Sequence, residues 1–170
     1  ECKKDTMDLT FGVDGKVGGN GEGAAVYLEK RYRMKRNAIL VDYSIANRSS
    51  TELALCFGSE INLSFSSMDE AALKMSLQTE GTLSDLESGK SAVSKVNGFT
   101  CLDRKNGVTI QGNWDRQCEL WVLPVEAGWT DWSGKHVGYQ STCLVPRWNV
   151  VLPSGAEWRA SLQLSFARTR

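Results

Sequence analysis

Residues 26–45 read VYLEKRYRMKRNAILVDYSI, and the spacing within this stretch decides the fold class. Val26, Leu28, Tyr32 and Met34 alternate with Glu29, Arg31, Arg33 and Lys35. Side chains two apart share one face of a strand, so the segment predicts a strand with one face in water. Only Lys30 breaks the pattern. After Arg36-Asn37, Ile39, Val41, Tyr43 and Ile45 alternate with Asp42 and Ser44, and the two segments together predict a hairpin.

The same period continues in both directions along the chain. Leu53, Leu55, Phe57, Ile61, Leu63 and Phe65 stand opposite Ala54, Cys56, Gly58, Glu60, Asn62 and Ser64, which predicts one long strand. A helix would place its apolar residues three and four apart. Trp158, Ala160, Leu162, Leu164 and Phe166 alternate in the same way near the end of the chain, after a turn at Pro153-Ser154-Gly155. Between these lie shorter strand-like runs at 99–102, 108–114, 118–125, 139–144 and 148–152, with Asn106-Gly107 as a hairpin signal. Eight or more strands with almost no helical periodicity predict an all-β, antiparallel sandwich or barrel in one domain of 170 residues. Two departures are expected. Ser67 and Glu70 fit a capping box ahead of Leu73 and Leu77, predicting a short helix over 67–78, and the polar stretch 80–95 reads as a long surface loop.

Composition narrows the range of functions. Twenty basic and twenty acidic residues cancel, so no strong pull on nucleic acid is expected. The longest apolar runs fall far short of the ~20 residues needed to span a bilayer. The chain does not open on methionine and shows no leader pattern, so it reads as a piece of a longer protein. Five cysteines at irregular spacing suit neither a disulfide framework nor a zinc site, and reduced thiols in a cytoplasm are the expectation.

Few residues here could carry chemistry. His136 is the only imidazole and is expected on an exposed turn, so a Ser/His/Asp set has no clear base. Gly89-Lys90-Ser91 lacks the upstream glycine of a phosphate-binding loop, and Gly18–Gly23 reads as a flexible connection. No metal or cofactor is expected. Glu60 lies mid-strand beside Asn62 on a face of small residues, where it could accept hydrogen bonds or point into a cleft. Six tryptophans are many for this length, and an indole face stacks well on a sugar ring. Trp121 and Trp158 fall inside strand patterns and are expected in the core with Trp114 and Trp148. Trp129 and Trp132 sit among glycines in a segment read as a loop, as an exposed binding pair or a lid.

Several of these stretches resemble a known family. Leu28–Arg33, Ile39–Asn47 (ILVDYSIAN) and Phe57–Ser64 (FGSEINLS), followed in order by Leu120–Val125 (LWVLPV) and Gly138–Ser141 (GYQS), are similar to the C-terminal region of glycoside hydrolase family 57. That family includes 4-α-glucanotransferases and α-amylases. The resemblance covers about residues 23–167, and Ser141 stands where the family stretch has glycine. It implies a galactose-mutarotase-like β-sandwich attached to an N-terminal catalytic barrel that carries the catalytic carboxylates. The chain would then be a non-catalytic accessory domain, with the barrel of its own polypeptide and α-glucan or maltooligosaccharide as partners. Tyr139 and Gln140 join Glu60, Asn62, Trp129 and Trp132 as candidate sugar contacts. An independent carbohydrate-binding module is the alternative, and a surface domain of a secreted protein is a third reading.

Overall fold

The computed structural model describes residues 7–18, 23–65, 71–86 and 91–169. Eleven strands occur in it, in the order β1 (Met7–Val17), β2 (Ala24–Lys35), β3 (Ala38–Asn47), β4 (Leu53–Gly58), β5 (Ile61–Leu63), β6 (Leu73–Thr79), β7 (Thr82–Asp85), β8 (Ser91–Asp103), β9 (Val108–Asp131), β10 (Gly134–Leu152) and β11 (Glu157–Arg168). No helix occurs among the described residues, and the all-β antiparallel reading holds.

Backbone contacts divide the chain into two compact units. The first takes in residues up to Phe57, with Gly112–Arg116 and Trp148–Phe166. In it β1, β2, β3 and β11 pair antiparallel in sequence, with Leu28 opposite Ile45 and Ile45 opposite Trp158. The hairpin read from residues 26–45 is therefore real. One face of these strands is buried, led by Val41, Tyr43, Ile45, Ala160 and Leu162. Phe57 lies 5.5 Å from Tyr43 and 6.0 Å from Trp148, ring centre to ring centre, and Trp158 closes the cluster at 5.6 Å from Phe57. Lys30, the residue out of pattern, holds its ammonium 5.0 Å and 5.3 Å over the rings of Tyr32 and Tyr43. Its place on an apolar face is explained by a cation meeting two aromatic faces.

The second unit contains Gly58–Gln111 and Gln117–Arg147. Here β6 pairs with β7 and β8, and β10 pairs with β5 and β9. Its core holds Leu77, Val96, Phe99, Cys101, Leu120, Val122 and Leu144.

Four sequence expectations are corrected. Leu73–Thr79 is strand β6 rather than helix, because Met75 between Leu73 and Leu77 also turns inward and makes the spacing two rather than four. The residues of the capping box, Ser67 and Glu70, lie outside the described residues. The expected loop over 80–95 holds β7 and the start of β8. A tight turn at Glu80 and Gly81, both at positive φ, makes the first of these strands possible. The long strand 53–65 breaks at Ser59-Glu60, where the Ser59 amide donates to the Pro146 carbonyl at 3.2 Å, although the alternation of faces persists through the break. Lastly, the separate runs at 108–114 and 118–125 are one strand, β9, as those at 139–144 and 148–152 are one strand, β10.

Among the described residues Cys56, Cys101, Cys118 and Cys143 are thiols outside any disulfide. Burial pushes both Cys101 and Cys118 up to about 12, whereas Cys56 is exposed. Native alkylation at pH 8 should therefore modify Cys56 long before Cys101 or Cys118, which react only after denaturation, and peptide mass mapping checks the order. Deletion of the buried Trp148 ring in Trp148→Ala should cost about 3–5 kcal/mol in urea unfolding.

Candidate functional site

All six expected site residues fall in the second unit, and they form two groups. The first gathers where β5 joins β10. Asn62 stands opposite Cys143, and its amide donates to Glu60 Oε1 at 2.7 Å. Glu60, expected mid-strand, instead sits in the break between β4 and β5. Both it and Asn62 are exposed. The Cys143 thiol is raised by burial and then by the adjacent Glu60 carboxylate. Gln140 is the extra residue of a β-bulge, since Tyr139 opposes Glu126 and Ser141 opposes Val125. A bulge twists its strand and re-aims side chains. The Gln140 carbonyl accepts the Ser64 hydroxyl at 2.7 Å, and the Tyr139 hydroxyl lies 2.9 Å from Thr142 Oγ1 and 3.4 Å from the Leu63 carbonyl it donates to. Tyr139 is half-buried, and desolvation raises its phenol. Its hydroxyl thus ties β10 to β5, which suits a positioning role better than direct contact.

The second group is the tip of the β9–β10 hairpin, 131–134. Trp129 and Trp132 were expected in a loop. The chain there is strand up to Asp131 and again from Gly134, so Trp132 and Ser133 make a two-residue turn. Gly134 takes φ 129°, which a side chain would disfavour. Asp131 Oδ1 accepts the Ser133 amide at 2.8 Å and the Ser133 hydroxyl at 2.7 Å, and His136 Nε2 lies 3.0 Å away. Trp132 is 98% exposed at the apex and Trp129 is 52% exposed. The Trp129 ring stacks on His136 at 5.3 Å with planes 21° apart. It also lies against Gly138, where an added Cβ would come within 2.9 Å of the indole. One side of the indole is thereby backed by its own hairpin, and the ring remains half in water.

Ser133, His136 and Asp131 invite comparison with a nucleophile–base–acid relay. Both partners, however, meet the same nitrogen, Nε2, at 2.9 Å and 3.0 Å. A relay needs the base to take a proton on one ring nitrogen while the acid holds the other. The cluster therefore fixes the turn and does not activate the serine.

Two features were missed by sequence reasoning. Trp121, expected in the core, is 37% exposed because Leu120 and Val122 take the inward positions on either side. The Arg147 guanidinium lies 3.8 Å from its ring centre, and its indole N–H donates to Glu119 at 2.9 Å. Through the register Leu123 to Cys143 to Asn62, Trp121 shares a sheet face with Asn62. The phase of the alternation, Leu120 and Val122 in and Trp121 out, was the available signal. In the first unit a groove of about 280 Å³ on β2, β3 and β11 is lined by Glu29, Arg31, Asp42, Ser44, Glu157 and Arg159. Several of its charges are already matched, Asp42 by Arg33 and Glu157 by Arg159. Among the described residues no group of three or more His, Cys, Asp or Glu could hold a metal ion.

The sequence matches the family described as alpha-amylase/4-alpha-glucanotransferase, C-terminal, over residues 1–162. No curated protein matches it. Among solved structures it is similar to a 4-alpha-glucanotransferase from Thermococcus litoralis, with a TM-score of 0.71 and 13% identity, covering 93% of this chain and 21% of that one. The chain thus spans about a fifth of that enzyme. It is also similar to galactose mutarotase-like proteins from Lactobacillus casei (TM-score 0.69, 12% identity, 98% of this chain and 72% of that one) and Clostridium acetobutylicum (TM-score 0.66, 12% identity, 99% and 65%). Identities this low show the fold alone, and that fold is the galactose-mutarotase-like sandwich.

The Ser133 hydroxyl, then its amide and His136, hold the Asp131 carboxyl below the usual range. A depressed carboxylate contributes order that is complete above its unfolded pKa and lost as pH falls through the folded value. Titration followed by the Ser133 amide in NMR should therefore show a midpoint below that of an unperturbed aspartate, with the turn loosening only beneath it. A midpoint at the ordinary value would contradict this geometry.

Proposed function

This chain belongs to the family of alpha-amylase/4-alpha-glucanotransferase C-terminal domains, and from that premise we propose that it serves its parent enzyme as a non-catalytic, cytoplasmic accessory domain that contacts α-glucan through the β9–β10 hairpin tip. The family match over residues 1–162 carries the accessory assignment and weighs against an independent binding module. In this reading the catalytic carboxylates belong to a preceding barrel of the same polypeptide.

The sugar contact is supported by one observation above the others: Trp129 offers half an indole to water while His136 and Gly138 back the rest. Glucose rings present axial C–H faces that pack on such a surface, and a ring already held in place loses little freedom on binding. Trp132 at the apex adds a second indole, one unrestrained by the turn. Asp131, with its two bonds from Ser133, keeps the turn that carries Trp132 next to the strand bearing Trp129. Glu60 and Asn62 supply a carboxylate and an amide for hydroxyl groups at the β5–β10 join, as a separate contact region.

Maltooligosaccharide should quench the tryptophan fluorescence of the chain, with weak affinity, and the quench should vanish in Trp129→Ala/Trp132→Ala. Both positions are exposed, so the double variant should unfold within about 1 kcal/mol of the parent. Gly138→Ala should disturb the response without removing either ring, because the new methyl displaces the Trp129 indole. Starch incubated with the purified chain should release no reducing sugar above a no-protein blank. Quenching unchanged in the double variant would remove the hairpin from the proposal, and reducing sugar released by the purified chain would remove the accessory role.

A further inference from the structure

We infer that the apolar face of β1 is the surface on which the preceding catalytic portion of the same polypeptide docks, an inference that rests on the accessory-domain reading above. Met7, Leu9, Phe11 and Val13 alternate with Asp8, Thr10, Gly12 and Asp14, so one face of β1 is apolar over roughly 20 Å. That face is uncovered: Met7 is 54% exposed, and Phe11 and Val13 are each 59% exposed. Soluble domains rarely leave a contiguous apolar strip open unless it binds something.

The strip continues a core. Cross-strand rows run Val13, Leu28, Ile45 and Phe11, Lys30, Tyr43 and Leu9, Tyr32, Val41 across β1, β2 and β3. In each row the β3 residue is buried, the β2 residue is half-buried and the β1 residue is exposed. The sheet face is thus packed at one side and runs out uncovered at the other. The opposite face of β1 is already occupied, since Asp8 pairs with Arg31 and Asp14 with Arg48. Those ion pairs sit in the register that turns the apolar residues the other way. β1 also ends the strand order next to β2, which leaves its outer edge without a strand partner among the described residues. Natural proteins cover or blunt such edges.

Two observations choose the occupant. The family is by description the C-terminal part of a larger enzyme, and the chain covers 21% of the Thermococcus litoralis glucanotransferase. In a domain so placed, the polypeptide ahead of it enters at β1, the strand that carries the strip. A partner on the same polypeptide acts at an effective concentration set by the connecting chain, about millimolar where that is short and flexible, so a modest apolar interface suffices. The matching surface on that partner is apolar.

The test compares the 170-residue chain with the longer polypeptide that contains it, using hydrogen exchange and the variant Phe11→Lys/Val13→Lys. β1 amides should exchange at least about tenfold more slowly in the longer polypeptide than in the chain alone. The variant should abolish that slowing while the chain keeps its thermal midpoint, since both positions are exposed. If the variant lowers the midpoint, the wild-type comparison decides by itself. Equal β1 exchange in the two proteins overturns the inference, as does slowing that depends on protein concentration, which would make a second copy the occupant. An upstream sequence with no catalytic portion overturns the accessory reading instead, so the two failures are distinguishable.

Discussion

The antiparallel ladder between β9 and β10 is the constraint on which the candidate sites depend. It runs from Glu119 opposite Arg147 to Asp131 opposite Gly134, with one register shift at Gln140. Because side chains on paired strands share a face at fixed positions, the ladder places His136 beside Trp129 and Arg147 beside Trp121. The outer edge of β10 is then free to hold β5, which brings Asn62 opposite Cys143. A slip of one residue anywhere in this ladder would reverse every face beyond it.

The two tryptophan pairings on this ladder differ in what they leave open. Arg147 lies directly over the Trp121 ring, and the indole N–H is already bonded to Glu119. That indole has its cation and its acceptor within the fold. At the hairpin tip the Trp129 ring is backed by a histidine and a glycine, and its remaining surface is exposed. Exposure and restraint together, rather than tryptophan number, are why the tip is the surface proposed to meet sugar.

An uncovered apolar strand and a rigid exposed indole pose the same thermodynamic question. Each leaves apolar area in water at roughly 25 cal/mol per Å². Folding of this chain alone does not recover that cost at β1 or at the hairpin tip, whereas a bound partner would. The physical reading of the two surfaces differs in scale. Single rings suit a sugar, whereas a strip continuous with a sheet core suits another protein surface.

Alternation determined the strands with one wet face: residues 26–45, 53–65 and 157–166 were legible because each apolar residue had a polar neighbour. The same signal was present in Met7–Val13 and, read there, would have shown β1. Alternation could not separate strand from helix at Leu73–Leu77, where four apart is also twice two, and pairing with β7 and β8 decided the matter. Nor could it place the Ser59 break, where the amide bonds to Pro146 far along the chain, or the Gln140 bulge, which is set by the register of β10 against Glu126 and Val125 of β9. The sequence marked Trp129 and Trp132 as unlike the other tryptophans from their glycine neighbours. Only tertiary structure showed that strand pairing continues beneath them, that His136 and Gly138 form the backing, and that Trp121 faces outward. Periodicity reports which residues share a face; which face meets water is set by what packs against it.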